Sequence, residues 1–310
     1  MQIKPGERSD IRTIDLNFLG IPETIAAYLI PHAQGGVLVE CGPGSTLPNL
    51  IAGLAVHGLK PSDISDVLIT HIHLDHAGSA GWWARQGAQI HVHPVGAPHL
   101  ENPEKLLTSA NRIYGDQMDR LWGEFLPVPK EKLTVHEDNE IIEINGLQFK
   151  VLDTPGHAFH HFAYIFQGTC FTGDIGAVRV GNIPHLRIPT PPPELNVELW
   201  RESIAKLKKE YTNGAFTHIA PTHFGVFEDA GWHLDNLESQ LIQMNDWIER
   251  VMPENPTLEE VNDRFMNWVA ENAREAGLSP ADIQAFEAAN PSWMSPAGIY
   301  RYWRKVRNPA

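Results

Sequence analysis

The chain is predicted to be an α/β protein of two similar halves packed sheet against sheet, with helices on the outer faces and a helical extension behind them. Three observations predict it. An order of strands, helix, strand and helix occurs twice. Four apolar, strand-like runs end directly in a loop that carries histidine or aspartate. From Glu228 onward the strand signals stop and the pattern is helical alone. The expected division is therefore 1–227 for the sheet-bearing unit and 228–310 for the extension.

Residues 11–18, 24–30 and 37–40 read as strands, the last two turned at Gln34-Gly35-Gly36. Segment 46–59 has helical apolar spacing through Leu47, Leu50, Ile51 and Leu54, and stops at Gly58. A strand over 66–69 leads into a histidine-rich loop. A short helix over 81–86, a strand over 89–92 and a helix over 103–123 follow. The stretch 133–173 is strand-rich, with an Asn145-Gly146 hairpin signal between 141–144 and 149–152. A helix over 195–211 then precedes a strand over 216–220. In the extension, Thr257-x-x-Glu260 is a capping box, and Leu258, Val261, Phe265, Trp268 and Val269 form one apolar face ending at Gly277. Ser279-Pro280 and Ser295-Pro296 are further helix starts. The extension is expected to pack on the core; a lid over the site and a dimer contact are the alternatives.

Composition narrows the function. With 310 residues, 42% hydrophobic and 20% charged, the chain suits an ordinary globular protein with a sizeable core. A net charge of −14 disfavours nucleic acid, which needs a basic face, and anionic membranes likewise. The segment 1–8 lacks the apolar run of a signal sequence and no segment is long enough to span a bilayer, so a cytoplasmic location is expected. Two cysteines, Cys41 and Cys170, exclude a disulfide framework and read as buried thiols.

The chemistry is concentrated in Thr70-His71-Ile72-His73-Leu74-Asp75-His76. Three imidazoles and a carboxylate in one loop are the donors that Zn²⁺, Fe and Mn²⁺ take. Four exceed what one ion needs if a position stays open, which suggests two ions. Further donors follow strands in Thr154-Pro155-Gly156-His157, Phe171-Thr172-Gly173-Asp174 and Pro221-Thr222-His223. His91, His93 and His99 lack that setting and are assigned to surface or packing roles.

The series His71-x-His73-x-Asp75-His76, His157, Asp174, His223 resembles the metallo-β-lactamase superfamily over roughly residues 11–225. The resemblance implies a four-layer αβ/βα sandwich. It also implies His71, His73 and His157 on one metal, Asp75, His76 and His223 on a second, and Asp174 bridging both. The loop Glu40-Cys41-Gly42-Pro43-Gly44 matches a family position where Asp is more usual, placing Glu40 beside a ligand imidazole. Possession of both His76 and Asp174 is more similar to the glyoxalase II, lactonase and thioesterase branch than to antibiotic-hydrolysing members. Ala177 replaces the tyrosine of quorum-sensing lactonases, and the basic run Arg301-Tyr302-Trp303-Arg304-Lys305 is only loosely similar to that of glyoxalase II.

The expected activity is hydrolysis of an activated carbonyl (thioester, lactone or related ester or amide) of a small molecule by a metal-bridging hydroxide, with Asp75 and Asp174 as catalytic carboxylates. Two divalent ions, zinc first and Fe or Mn next, are the implied cofactors. No Walker or Rossmann glycine loop appears, so no nucleotide cofactor is expected. The alternatives are a mononuclear iron sulfur dioxygenase and a ligand-binding regulator on the same fold; a homodimer stays open. The proline-rich stretch after Asp174 is a candidate pocket wall, with His185 and Arg187 facing a polar or anionic substrate group, or else a solvated connector. Tyr114 and Trp122 are assigned to the pocket or to core packing, and His160 and His161 to hydrogen bonding beside the ligands, His161 as a support.

Overall fold

The computed structural model describes residues 11–181 and 183–309; the segment read above for a signal sequence lies outside them, as does Asn182. The first half opens with β1 (Arg12–Asp15), β2 (Ala26–His32) and β3 (Gly35–Val39), an antiparallel meander. Helix α1 (Leu47–Val56) crosses to β4 (Ile64–Leu68), which is parallel to β3. Two short helices, α2 (Leu74–Ala77) and α3 (Ala80–Gln86), lead to β5 (Gln89–Val92). An insertion of α4 (Ala97–Glu101), α5 (Glu104–Tyr114) and α6 (Met118–Trp122) precedes β6 (Leu133–Val135), which is parallel to β5. The first sheet therefore has six strands in the order β1-β2-β3-β4-β5-β6.

The second half begins with the hairpin β7 (Ile141–Ile144) and β8 (Leu147–Asp153), whose turn residues Asn145 and Gly146 both have positive φ, 50° and 83°. These are the angles an Asn-Gly hairpin turn requires. Strands β9 (Phe162–Phe166) and β10 (Gly168–Phe171) continue antiparallel. Helix α7 (Val197–Thr212), capped by the Asn196 side chain on Leu199 N–H, returns the chain to β11 (Phe216–Ala220), parallel to β10. The five strands lie in the order β11-β10-β9-β8-β7. The extension is α8 (Ala230–Val251), α9 (Leu258–Glu275), α10 (Pro280–Ala289) and α11 (Ser295–Tyr302).

Alternation along the strands builds the layers. Ala26, Tyr28 and Ile30 of β2 face Phe149, Val151, Phe162 and Tyr164 of the second sheet, and this shared layer is the inter-sheet core. The intervening Ala27 and Leu29 point outward into a core with Leu50, Leu54 and Trp83. On the second sheet, Leu152, Ala163 and Ile165 point outward against Trp200, Leu207, Leu237 and Trp247. Helix, sheet, sheet and helix thus stack in four layers, the αβ/βα sandwich the sequence implied.

Three sequence expectations change. The helix expected over 103–123 breaks at Gly115, whose φ of 52° is not helical, so α5 and α6 are separate helices that both line one cavity. Strand β6 belongs to the first sheet by its pairing with β5, not to the strand-rich second half. Leu258 is 44% exposed, so the apolar face of α9 rests on Val261 and Phe265, with Trp268 and Val269 partly buried. That face joins the outer core of the second sheet, so α9 packs on the core. Cys41 and Cys170 are buried free thiols. Among the described residues no helix is long and apolar enough to cross a membrane.

Candidate metal centre

Strands β4, β8, β10 and β11 end at the same edge of the two sheets, and the loops beyond them carry the predicted donors. The loop after β4 is covered by the second sheet: Phe162 N–H donates to the Thr70 carbonyl and the Tyr164 hydroxyl to that of Ile69. Gly173 stands before Asp174 with φ of 51°, and a Cβ there would lie 2.4 Å from Thr70 Oγ1 and 2.8 Å from His161 Nε2. Only glycine lets the loop after β10 approach this closely.

The seven side chains form connected sets. His71 Nε2 and His157 Nε2 lie 2.9 and 3.0 Å from His73 Nδ1. Asp75 Oδ2 lies 3.6 Å from His76 Nε2 and 3.5 Å from His223 Nε2. Asp174 stands between them, with Oδ2 3.4 Å from His157 Nε2 and Oδ1 3.3 and 3.5 Å from His76 and His223 Nε2. Within His71, His73 and His157, and within Asp75, His76 and His223, the donor atoms lie within 4.8 Å of one another.

The outer nitrogens decide what the inner ones offer. His157 Nδ1 lies 3.0 Å from the Pro189 carbonyl and His223 Nδ1 2.6 Å from that of Thr24. A carbonyl only accepts, so each Nδ1 carries a proton, and in the neutral form of each ring the lone pair is the inward-facing one on Nε2. His76 Nδ1 sits 2.9 Å from Glu40 Oε1 with the same result. That leaves His76 Nε2 and Asp174 Oδ1 buried without a hydrogen-bond partner among the described residues. Convergent lone pairs and orphaned buried acceptors are what a cation would satisfy.

Electrostatics point the same way. Burial would raise Asp75, but the His76 imidazole and the His223 contact hold it down to about 2; His76 and His157 likewise hold Asp174 well below the carboxylate range. Burial and the neighbouring imidazoles push His71 well below its usual value, and burial with His157 pushes His73 to about 3. His76 and His223 shift upward despite burial, His76 through Asp75, Asp174 and Glu40, and His223 through Asp75 and Asp174. The carboxylates thus call for positive charge at this spot. The residues fit divalent cations.

Glu40 sits beside His76. Its buried carboxylate accepts from Thr70 Oγ1 at 2.5 Å, Thr222 Oγ1 at 2.9 Å and His76 Nδ1. Its backbone has a φ of 67°, an unfavourable angle for a residue with a side chain, and three side-chain partners hold it there. His161 is buried against His71, accepts at Nε2 from Ile175 N–H at 3.3 Å, and has Thr154 Oγ1 2.9 Å from its Nδ1.

The substrate-pocket expectations divide. Tyr114 lines a cavity of about 340 Å³ that reaches His73, Asp75 and Asp174, and Trp122 lines it too. His185 and Arg187 do not line it. Helix α10 covers their segment: His185 packs edge-on against Phe286 at 5.2 Å, and burial, then Arg187, lowers its imidazole to about 4. Arg187 pairs with Glu287 at 2.6 Å. Neither the polar-substrate reading nor the solvated-connector reading fits two buried, paired side chains. The prolines 191–193 of the same segment do wall the cavity. His91 has the expected packing role, bonded to Asp66 and His136, whereas His99 lines the cavity.

Arg179 escaped the sequence reading. Its N–H donates to the His223 carbonyl and its carbonyl accepts from Phe224 N–H, so it holds the β11 loop. Its guanidinium forms a two-pronged pair with Asp229 at 2.7 and 2.8 Å and lies 3.8 Å from the Phe227 ring centroid. A partner 50 residues away leaves no local signal.

A family model described as the metallo-beta-lactamase superfamily matches residues 20–212. The chain belongs to that superfamily, a class of metal-dependent hydrolases. Among relatives, a metallo-beta-lactamase fold-containing protein of Sulfurisphaera tokodaii is 26% identical over 189 residues, which is 60% of this chain and 68% of that one. A hydroxyacylglutathione hydrolase of Rhodopseudomonas palustris is 30% identical over 165 residues, 51% of this chain; the chain spans about half (52%) of that relative's length. The crystal structure of a metallo-beta-lactamase family protein from Thermus thermophilus superposes with a TM-score of 0.65 at 20% identity, covering 96% of this chain and 94% of that one. That likeness is one of fold.

Proposed function

We propose that this chain is a hydrolase that holds two divalent ions, zinc first with iron and manganese as alternatives, and cleaves a thioester, lactone or related ester or amide of a small molecule. The observation that carries the reading is a run of three overlapping donor groups, His71-His73-His157, His71-His76-Asp174 and Asp75-His76-His223, with one Asp174 oxygen turned to His157 and the other to His76. Bound ions would supply a water acidic enough to ionise near neutral pH and an electrophile for the carbonyl oxygen. His71, His73 and His157 would hold one ion, and Asp75, His76 and His223 the other.

The rest is work for the chain itself. The carbonyls of Pro189 and Thr24 and the Glu40 carboxylate fix the tautomers and tilt of three imidazoles, so the donors need no rearrangement. Asp75 and Asp174 border the cavity as carboxylates kept ionised by the neighbouring imidazoles, so they would bring negative charge to the ions and help fix where the attacking water sits. Walls of Ile72, Leu74 and Trp122 limit bulk water at this edge.

The test is elemental analysis of protein purified without added metal, followed by a panel of thioesters and lactones. About two divalent ions per chain and turnover of at least one substrate class are expected. A single iron per chain, with oxygen consumption and no hydrolysis, would overturn the reading in favour of the dioxygenase alternative.

A further inference from the structure

The cavity of about 340 Å³ lies within the ~300–1,000 Å³ range of small-molecule sites. Its floor is the edge of His73, Asp75 and Asp174. Beyond that floor the walls are apolar and come from separate parts of the chain: Phe18 after β1, Ile113 of α5, Trp122 of α6, and Trp293 and Met294 between α10 and α11.

Charge is scarce along those walls. Lys105 is the one lysine or arginine among the described lining residues, and it is exposed on α5. The two lining glutamates are engaged. Glu194 accepts from Phe159 N–H at 3.1 Å and lies 3.2 Å from His160 Nε2. Glu287 pairs with Arg187 and accepts from Ser292 Oγ at 2.5 Å and Ser292 N–H at 2.9 Å.

The wall from the extension is anchored. Arg187 also donates to the Asn290 carbonyl at 3.3 Å, so Arg187, Glu287 and Ser292 tie the loop before α11 to the segment after Asp174. Behind it, a Cβ on Gly298 would lie 2.0 Å from the Thr190 carbonyl oxygen, so α11 sits hard against that segment. Tyr114 Oη reaches Met294 Sδ at 3.7 Å across the cavity, linking the insertion to the extension.

We propose that this site takes substrates whose acyl part is uncharged and apolar, an aliphatic chain or an aromatic ring system. Its carbonyl lies at the Asp75–Asp174 edge, and Trp293 and Met294 set the length that fits. The proposal rests on the hydrolase reading for the carbonyl, but the apolar chamber is a property of the walls alone. An acyl group bearing carboxylates would be desolvated there with only the exposed Lys105 to meet it.

Calorimetric titration of straight-chain alkanoates, from butanoate to dodecanoate, into the protein as purified tests this, with S-methylglutathione as the charged comparator. Affinity is expected to rise about fourfold per methylene, the equivalent of ~0.8 kcal/mol, and then to level off where the chamber is full. Trp293→Ala, at a half-exposed position, should move that plateau to longer chains; Ala289→Leu, inside the wall, should move it to shorter ones. If Ala289→Leu fails to fold, Trp293→Ala still carries the test. Affinity independent of chain length, or tighter binding of S-methylglutathione than of octanoate, would overturn the proposal. Binding is read without turnover: a rising series in a protein that hydrolyses nothing removes the hydrolase reading and leaves the apolar site standing. Hydrolysis with a flat series does the reverse.

Discussion

Glu40 shows how one residue type can be read in sequence and understood only in space. A longer carboxylate than the usual Asp still reaches His76, because its left-handed backbone and the hydroxyls of Thr70 and Thr222 place it. Glu40→Gln keeps the shape but removes the charge that orients His76. Metal affinity should fall about 10–100-fold, measured by competition with a chelator, with little change in fold. Asp174→Ala removes the carboxylate that, alone among the described residues, has one oxygen toward His157 and the other toward His76 and His223. Turnover should be lost and ion content should fall; undiminished activity at full metal occupancy would refute the bridging role. The donors themselves were legible because four residues of one loop sit within a six-residue span. Arg179 and the carbonyls of Thr24 and Pro189 were not, since a backbone oxygen has no signature in composition.

Among the elements, α8 is tied to the site by its first turn. Asp229 at its N-terminus pairs with Arg179, which lowers the carboxyl below its usual value. A depressed carboxylate contributes stability that is present above its unfolded pKa and lost as pH falls through the folded one. Asp229→Asn should therefore cost up to ~1 kcal/mol at neutral pH, the low value reflecting solvent screening of a half-exposed side chain. The gap to the parent protein should close in acid, as followed by denaturant melts across pH; a gap that is constant down to the lowest pH would show that the ion pair is not its source. The α5–α6 break has the same lesson in another form. Apolar spacing over 103–123 is helical on both sides of Gly115, but one glycine with φ of 52° turns a straight helix into two walls of a cavity.

For the whole molecule, the extension shares the outer core of the second sheet. Val261, Phe265, Ile299 and Tyr302 are buried with Trp247 and Leu207. Each large apolar side chain is worth about 1.5–3 kcal/mol, so losing four removes on the order of 6–12 kcal/mol. That is comparable to the ~5–15 kcal/mol total stability of a domain. A chain ended after Met252 should lose cooperative thermal unfolding and much of its solubility. A soluble product that melts at the parent temperature would make the last helices an appendage.

Local order was in the sequence: the strand alternation, the Asn145-Gly146 turn, the capping box at Thr257, the helix start at Ser279, and donors placed just past strand ends. These depend on interactions a few residues long, which side-chain periodicity and turn chemistry encode directly. What tertiary structure decided depends on which surfaces meet. His185 and Arg187 followed the metal loops in sequence, yet α10 buried them behind the cavity. Trp293 and Met294, at the far end of the chain, were brought to its wall instead. Periodicity says that a face is apolar; only the packed fold says which other face covers it and what space is left between them.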